Sequence, residues 1–342
     1  MTVIIGVDPH KASHTAVAIS GAEEELDRKR VRSGGAQLSQ LVSWAEPFEK
    51  RTWAIESAAG LGYLLAQQLV AAGETVVDVP ATLASRARLL STGRSNKNDP
   101  NDALLVAVAA LRSPNLRVVA VGHSEVLRLL AKRNIDIGNQ RSRVVSRMHS
   151  MLAELAGGGI AKEINASDVD RFLEATIPST PVAQVRYDLA VELLDDIRRL
   201  DGQLKVSHKR IRDAVRASAT SLTDLFGVGP VLAAMLIGYT GDATRFRNRD
   251  RYAAYNGTAP VEFSSAGRTV HRLSQRGNRK LNHAIHMVAI CQLRQSHSEG
   301  RAYFDRRVTE GKTKKEALRA LKRHVCSAVY RQLVADARRG RS

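Results

Sequence analysis

Two cysteines, Cys291 and Cys326, are all that the 342 residues contain. Both sit in helix-like surroundings, so neither a disulfide framework nor a four-cysteine zinc site can be assembled, and zinc is a poor fit. Long apolar runs are also missing. No stretch approaches the roughly 20 uninterrupted apolar residues that a membrane helix needs. Met1 to Asp8 shows no basic leader ahead of an apolar region, so a cytoplasmic protein with no membrane partner is expected. Aromatic residues are scarce at 4%, which leaves few platforms on which unpaired bases could stack. Acids are scarce in one place only. Residues 217–342 carry 23 Lys/Arg against 9 Asp/Glu, an excess of 14 that supplies most of the net charge of +18. A cationic surface concentrated this way suits a polyanion, because each neutralised phosphate releases condensed counterions. Charge that serves solubility mixes both signs, and an anionic membrane would want the basic residues opposite one broad apolar helix face.

With 44% hydrophobic residues, the chain can bury a real core and is long enough for two or three domains. Its pattern divides it at 1–121, 122–216 and 217–342. In the first segment, Val3 to Asp8 (VIIGVD) is a short apolar run ending in an acid. His14 to Ser20 is rich in strand formers, and Glu25 to Arg32 alternates like an exposed third strand. A helix over Ala36 to Glu49 then leads to a buried strand over Thr52 to Glu56, a helix over Leu61 to Ala72 and a strand over Thr75 to Val79. Three antiparallel strands followed by βαβ crossovers give the mixed sheet of a ribonuclease-H-like (RuvC-like) fold. The second segment has apolar residues at helical spacing over 125–155 and 182–215, which predicts an antiparallel helical pair, a coiled-coil arm suited to oligomerisation or spacing. The last third reads as mainly helical, apart from a Gly/Ser/Arg-rich interruption between Asn256 and Gly277. The fold class is therefore α/β followed by α.

Four acids fall where such a sheet gathers ligands. Asp8 closes the first strand and Glu56 the fourth, while Asp99 and Asp102 open a helix near Pro100, Asp99 as its N-cap and Asp102 three residues later on the same side. Any one of them has an ordinary alternative role in capping or ending an element. Together they match what two Mg2+ ions need, since hard cations take oxygen ligands and a pair of them clamps the attacking and leaving oxygens of a phosphodiester. Lys97, two residues before Asp99, reads as a loop residue.

In the basic third, Leu222 to Tyr239 (LTDLFGVGPVLAAMLIGY) places Gly227 and Gly229 between two apolar stretches, a helix-hairpin-helix pattern. Its glycines permit a tight turn whose backbone N–H groups can bind a phosphate without reading sequence. Further on, Arg268, Arg272, Arg276, Arg279 and Lys280 crowd a region poor in apolar residues, a composition that suits phosphate. Ser264 and Ser265 lie among them, and a serine can act as nucleophile where its proton is removed and the phosphate is neutralised. Composition does not choose between the two.

GVDPHK at 6–11, the acid of AIESAAGLGY at 54–63, and KNDPNDA at 97–103 resemble the catalytic motifs of the insertion-sequence family one-hundred-and-ten. These are the DEDD transposases, also called bridge-RNA-guided recombinases. FGVGPVLAAMLIG, YNGTAP, SSAG and SQRGNRKLN resemble the second domain of the same family, in the same order, so the resemblance spans nearly the whole chain. It implies that Asp8, Glu56, Asp99 and Asp102 form the carboxylate set. It implies Ser265 as the nucleophile, five residues beyond Pro260, although Ala266 stands where the family carries a glycine and leaves Ser264 a contender. The segment Ser57 to Gly60 also departs from the shorter Thr-Gly step of many members. The implied chemistry is serine attack on a DNA phosphate and a covalent phosphoserine, assisted by the metal site or a group such as His271. The implied partners are donor and target DNA, a structured bridge RNA, and further copies of the chain in a dimer or tetramer with composite active sites.

Two other readings use the same residues differently. A metal-only nuclease, such as a Holliday-junction resolvase, would hydrolyse DNA with water and would not need Ser265; a non-catalytic nucleic-acid-binding protein would tolerate loss of all four acids. His283 and His286 are three apart on a helix but lack a further ligand, which favours packing over metal binding. Gly311-Lys312-Thr313 echoes a phosphate loop, yet Arg306 stands where its first glycine belongs. Lys312 to Arg323 reads as a basic amphipathic helix that could lie along nucleic acid.

Overall fold

The apolar run near the N-terminus becomes the middle of a sheet. In this computed structural model residues 3–90, 99–113, 116–119, 122–160, 163–265, 268–273 and 277–339 are described, with side chains excepted at 88–90 and 261–273. Val3–Pro9 forms β1, buried along its whole length. The antiparallel strands β2 (Ser13–Ile19) and β3 (Glu25–Arg32) extend the sheet on one side. On the other, β4 (Arg51–Glu56) and β5 (Val76–Val79) run parallel to β1, and the short β6 (Arg117–Val118) closes the edge antiparallel to β5. The strand order β3-β2-β1-β4-β5-β6 contains the three antiparallel strands and parallel crossovers expected of a ribonuclease-H-like sheet, with β6 added beyond the predicted strands. β3 is exposed except at Val31, and its charges blunt an edge that would otherwise invite pairing.

Helices α1 (Gln37–Ala45) and α2 (Tyr63–Ala71) cover one face of this sheet, packing with Val3, Ile5, Val7, Trp53 and Ile55. Helices α3 (Ala81–Leu90) and α4 (Asp99–Leu111) cover the other, with Ile4, Val17, Ile19 and Ala54. Alternation along a strand puts Gly6 and Asp8 on the α4 face with Ile4. These elements belong to one compact unit, Met1–Gly122.

The second unit, His123–Ser342, is helical but for one hairpin. α5 (His123–Leu155) and α7 (Pro181–Ala217) are antiparallel: His123 Nε2 donates to the carbonyl of Ala214 at 2.6 Å, Arg133 bonds Gln203 at 3.2 Å, and Arg186 pairs with Glu154 at 2.8 Å. Between them α6 (Ala166–Glu174), capped by Asn165, adds Val169 and Leu173 to a core with Met148, Leu152 and Leu194. The roots of the arm do something else. Leu127, Ala131, Ile211 and Val215 enter the core formed by α8 (Pro230–Thr240), α9 (Arg249–Asn256), α10 (Arg279–Arg294) and α12 (Lys314–Arg339), next to α11 (Glu299–Thr309). The roots of the arm and the basic third thus share one core, while the rest of the arm has its own.

Two local expectations change. The interruption after Asn256 contains an antiparallel hairpin, β7 (Pro260–Ser265) with β8 (Arg268–Leu273). Of the two helices expected to flank Gly227 and Gly229, the second is α8, whereas the first is a single 3-10 turn, Leu222–Asp224. Asp336 holds that turn by accepting from the backbone N–H of Ser221 at 3.1 Å and the hydroxyl of Thr220 at 2.7 Å, and these local bonds compete with a longer helix.

Candidate active site

Gly6 decides where the carboxylates meet. A Cβ there would lie 2.2 Å from the carbonyl oxygen of Ala103 and 2.5 Å from the amide nitrogen of Ala107, so α4 rides directly on the β1 backbone. From Gly6 to Asp8 the strand advances about 7 Å, and from Ala103 back to Asp99 the helix covers about 6 Å. The first turn of α4 therefore reaches the end of β1. Asp99 is the first residue of α4 rather than the residue before it, and Asp102 shares its first turn.

The strands bring the remaining groups to the same edge. β1 and β4 run in parallel register through Val7 and Ile55, so Asp8 and Glu56 follow side by side. Across β2 and β3, Asp8 pairs with Thr15 and Thr15 with Arg30. Arg30 bonds the Ser13 hydroxyl at 3.1 Å and reaches Asp99 Oδ2 at 3.4 Å. His10, just past β1, places Nδ1 3.6 Å from Asp8 Oδ2.

Asp8 is the electrostatic centre of this arrangement. It is 7% exposed, and its Oδ2 is a buried oxygen with no hydrogen-bond partner. Burial, and then the charges of Glu56, Asp102 and Asp99 against the opposing pull of His10, push its pKa up from 3.8 to about 6. An orphaned buried oxygen among carboxylates is what a divalent cation would satisfy. Ligand atoms of Asp8, His10 and Asp99 all lie within 4.8 Å of one another; donors around an octahedral Mg2+ stand about 3 Å apart when adjacent and about 4 Å when opposite. The residues fit a divalent metal with little adjustment. His14, Pro9's partner on β2, is a different case: it is buried, shares Nε2 with Gln37 and Ser33, and burial lowers its pKa, so it belongs to the packing behind the site.

The sequence pattern does not single out His10, Arg30 or Thr15. His10 stands two residues after Asp8 and could have been paired with it from that spacing. Arg30 and Thr15 enter only through the register of three strands, which a linear pattern does not display.

In the second unit, Ser264 and Ser265 occupy the last two positions of β7, in register with Thr269 and Arg268. Arg272 pairs with Val261 near the root. Arg276 and Lys97 lie outside the described residues, and the side chains of Ser264, Ser265, Arg268 and Arg272 are likewise not described. Arg279 and Lys280 are exposed in the first turn of α10, whose N-cap Asn278 accepts from the N–H groups of Lys280 and Leu281 at 3.1 Å. Gly227 turns with φ +88°, and a Cβ there would crowd the Val288 carbonyl at 3.2 Å; Gly229, the N-cap of α8, faces open space. Gly227 is thus required by packing against α10, while Gly229 leaves room beside the start of α8.

The remaining signals resolve into local structure. Gly311, with φ +91°, follows the end of α11, and Thr313 and Glu316 exchange capping bonds at the start of α12. The resemblance to a phosphate loop is a helix stop followed by a capping box. Cys291 is exposed and Cys326 buried, both free. No helix among the described residues is long and apolar enough to cross a membrane.

Comparison with known proteins supplies independent findings. A family model described as "Transposase" matches residues 5–156, and one described as "Transposase IS116/IS110/IS902 family" matches 219–305. The uncharacterized 44.8 kDa protein of insertion element IS116 from Streptomyces clavuligerus is 26% identical, over 96% of this chain and 94% of its own. The uncharacterized 42 kDa protein of insertion element IS900 from Mycobacterium paratuberculosis is also 26% identical, over 96% and 94%. Among solved structures, Thermus thermophilus RuvC in complex with a Holliday junction substrate aligns with 35% of this chain and 100% of its own, at 13% identity and a TM-score of 0.29.

Proposed function

Because the chain belongs to the IS110 family of transposases, enzymes that cut DNA, we propose that it cuts and rejoins DNA through a phosphoserine intermediate formed on Ser265. The observation that carries the metal half of this reading is the buried Oδ2 of Asp8, which makes no hydrogen bond, at the edge where burial and the charges of Glu56, Asp102 and Asp99 raise its pKa. Those four carboxylates would hold Mg2+, most simply as two ions. When bound, the ions neutralise phosphate charge and polarise the phosphodiester. Arg30 steadies Asp99, and His10 lies beside Asp8 as a further donor.

The serine step balances without water. Ser265 Oγ gives up its proton and bonds to phosphorus, and one deoxyribose oxygen leaves as a hydroxyl. In the rejoining step a hydroxyl of the new strand attacks the phosphoserine, and the serine oxygen departs and is reprotonated. The phosphoester bond energy is conserved, which hydrolysis would lose. Gly227, Gly229, Arg268, Arg272, Arg276, Arg279 and Lys280 are assigned to nucleic-acid backbone contacts. A bridge RNA that pairs with donor and target DNA accounts for a chain rich in positive charge yet holding only 4% aromatics. Assembly as a homo-oligomer completes the reading.

Denaturing electrophoresis of labelled DNA after reaction, with peptide mapping of the adduct, tests the proposal. Ser265→Ala should bind DNA and RNA yet form neither adduct nor recombinant, while Ser264→Ala keeps some of each. An adduct that persists in Ser265→Ala moves the nucleophile elsewhere. Metal-dependent cleavage by an active wild-type enzyme that never yields an adduct would favour the metal-only nuclease.

A further inference from the structure

α10 carries Arg279, Asn282, His283 and His286 at positions i, i+3, i+4 and i+7, which is one helix face. α12 packs on α10 and brings Lys322 against that face: its Nζ donates to Asn282 Oδ1 at 2.8 Å. Asn282 is itself fixed, because its Nδ2 donates to the carbonyl of Asn256 at 2.9 Å. Asn256 is fully buried, giving its Nδ2 to Cys326 Sγ at 3.1 Å and accepting from the Thr258 hydroxyl at 2.7 Å. The ammonium of Lys322 is thus aimed by a chain of neutral groups.

No carboxylate lies within ion-pair distance of Lys322, Arg279, His283 or His286 among the described residues. The neighbouring Arg323 is engaged by Asp250. Burial and the Arg279 charge lower the pKa of Lys322, and burial together with Lys322 and His283 lowers that of His286. Lys322 and His286 are half-buried, and Arg279 and His283 are exposed at the rim of the same face. Half-burying the Lys322 ammonium beside the Arg279 guanidinium costs stability until an anion joins them, and the two imidazoles can add donors to that anion.

The location specifies the anion. Asn278, the cap of α10, donates its N–H to the carbonyl of Tyr255 at 2.7 Å, and a Cβ on Gly277 would strike the Gly257 nitrogen at 2.4 Å. The two chain segments that enter and leave the β7–β8 hairpin are clamped together beside this face. Ser265 lies at the far end of a six-residue strand, about 17 Å from the root.

We propose that Lys322, with Arg279, His283 and His286, binds a backbone phosphate of the DNA that the hairpin serves, at a position flanking the phosphate attacked by Ser265. The strand length sets the two phosphates apart, so Lys322 positions DNA and takes no part in bond breaking. This rests on the reading that the second unit holds the DNA being cleaved.

The test measures binding of the full-length protein to a short duplex by fluorescence anisotropy across a salt series, for wild type, Lys322→Gln, Arg279→Gln and the exposed arm control Lys205→Gln. Glutamine at 322 retains a donor for Asn282, so a purely structural role would leave the salt dependence unmoved. Lys322→Gln and Arg279→Gln should each weaken binding by about threefold or more and flatten the logarithmic salt slope by about 1, the signature of one lost phosphate contact. Binding by both variants that matches Lys205→Gln overturns the proposal, as does a loss confined to structured RNA. If Lys322→Gln proves misfolded by thermal melting, the exposed Arg279→Gln decides the matter by the same two outcomes. Wild-type protein that binds duplex without salt dependence would instead defeat the broader reading on which the site depends.

Discussion

Gly6 and Ala103 touch backbone to backbone: a methyl group at position 6 would stand 2.2 Å from the Ala103 carbonyl oxygen. That contact carries the first turn of α4, with Asp99 and Asp102, to the strand end that holds Asp8. Gly6→Ala should therefore lift α4 while leaving every carboxylate in the chain. We expect a stability loss of about 1–3 kcal/mol, together with loss of Mg2+-dependent thermal stabilisation and of recombination. Thermal melts with and without Mg2+ check this, and an unchanged Mg2+ response in Gly6→Ala would show that α4 does not place the ligands.

Asp8 gives the site a pH dependence of definite sign. Its pKa is raised in the folded chain, from 3.8 to about 6, by burial and by the charges of Glu56, Asp102 and Asp99. The stability contributed by its protonated form is complete below about pH 4 and lost as pH rises through about 6, on the order of 3 kcal/mol in all. In the absence of divalent cations, Asp8→Asn should raise the melting temperature at pH 7.5 and leave it nearly unchanged at pH 4. Mg2+ should stabilise the wild type at pH 7.5 far more than at pH 5, because protons compete for the same oxygen. An equal Mg2+ response in Asp8→Asn would remove Asp8 from the ligand set.

The four carboxylates should act as a unit. Changing Asp8, Glu56, Asp99 or Asp102 to Ala is expected to abolish recombination with the circular-dichroism spectrum intact, since removing one ligand leaves phosphate charge uncompensated. Full activity in two of the four single variants would sink the assignment.

The shared core of the second unit predicts where the chain can be divided. Residues 123–342 should fold alone and bind duplex DNA with steep salt dependence, more tightly than residues 1–122, because they hold nearly all the excess charge. Residues 217–342 alone should fail to give a cooperative melt, since that cut strips Leu127, Ala131, Ile211 and Val215 from the core they share with Leu236, Ile285 and Val329. Calorimetry of the fragments checks both, and a cooperative transition in 217–342 would show that the arm is dispensable to that core.

Much of this protein is written in its linear pattern. The short apolar and alternating runs over residues 3–79 mark five of the six strands, and Asp8 and Glu56 stand at or near the ends of two of them. Helical spacing determines α5 and α7, and the imbalance of charge after residue 217 shows where the excess positive charge lies. The hairpin at 260–273 was legible in principle, since Val261, Phe263 and Val270 alternate about an Ala-Gly step, but a high density of arginine and serine hides that signal under the composition of a loop. What tertiary structure alone decided is which groups meet. Thr15 and Arg30 join Asp8 only through the register of β1, β2 and β3, and Lys322 joins Arg279 only because α12 folds back on α10, with Asn282 linking the helices. Spacing along a chain specifies periodicity, which is local, whereas register and helix packing are set by contacts between residues 7 to 43 positions apart, and no local preference encodes those.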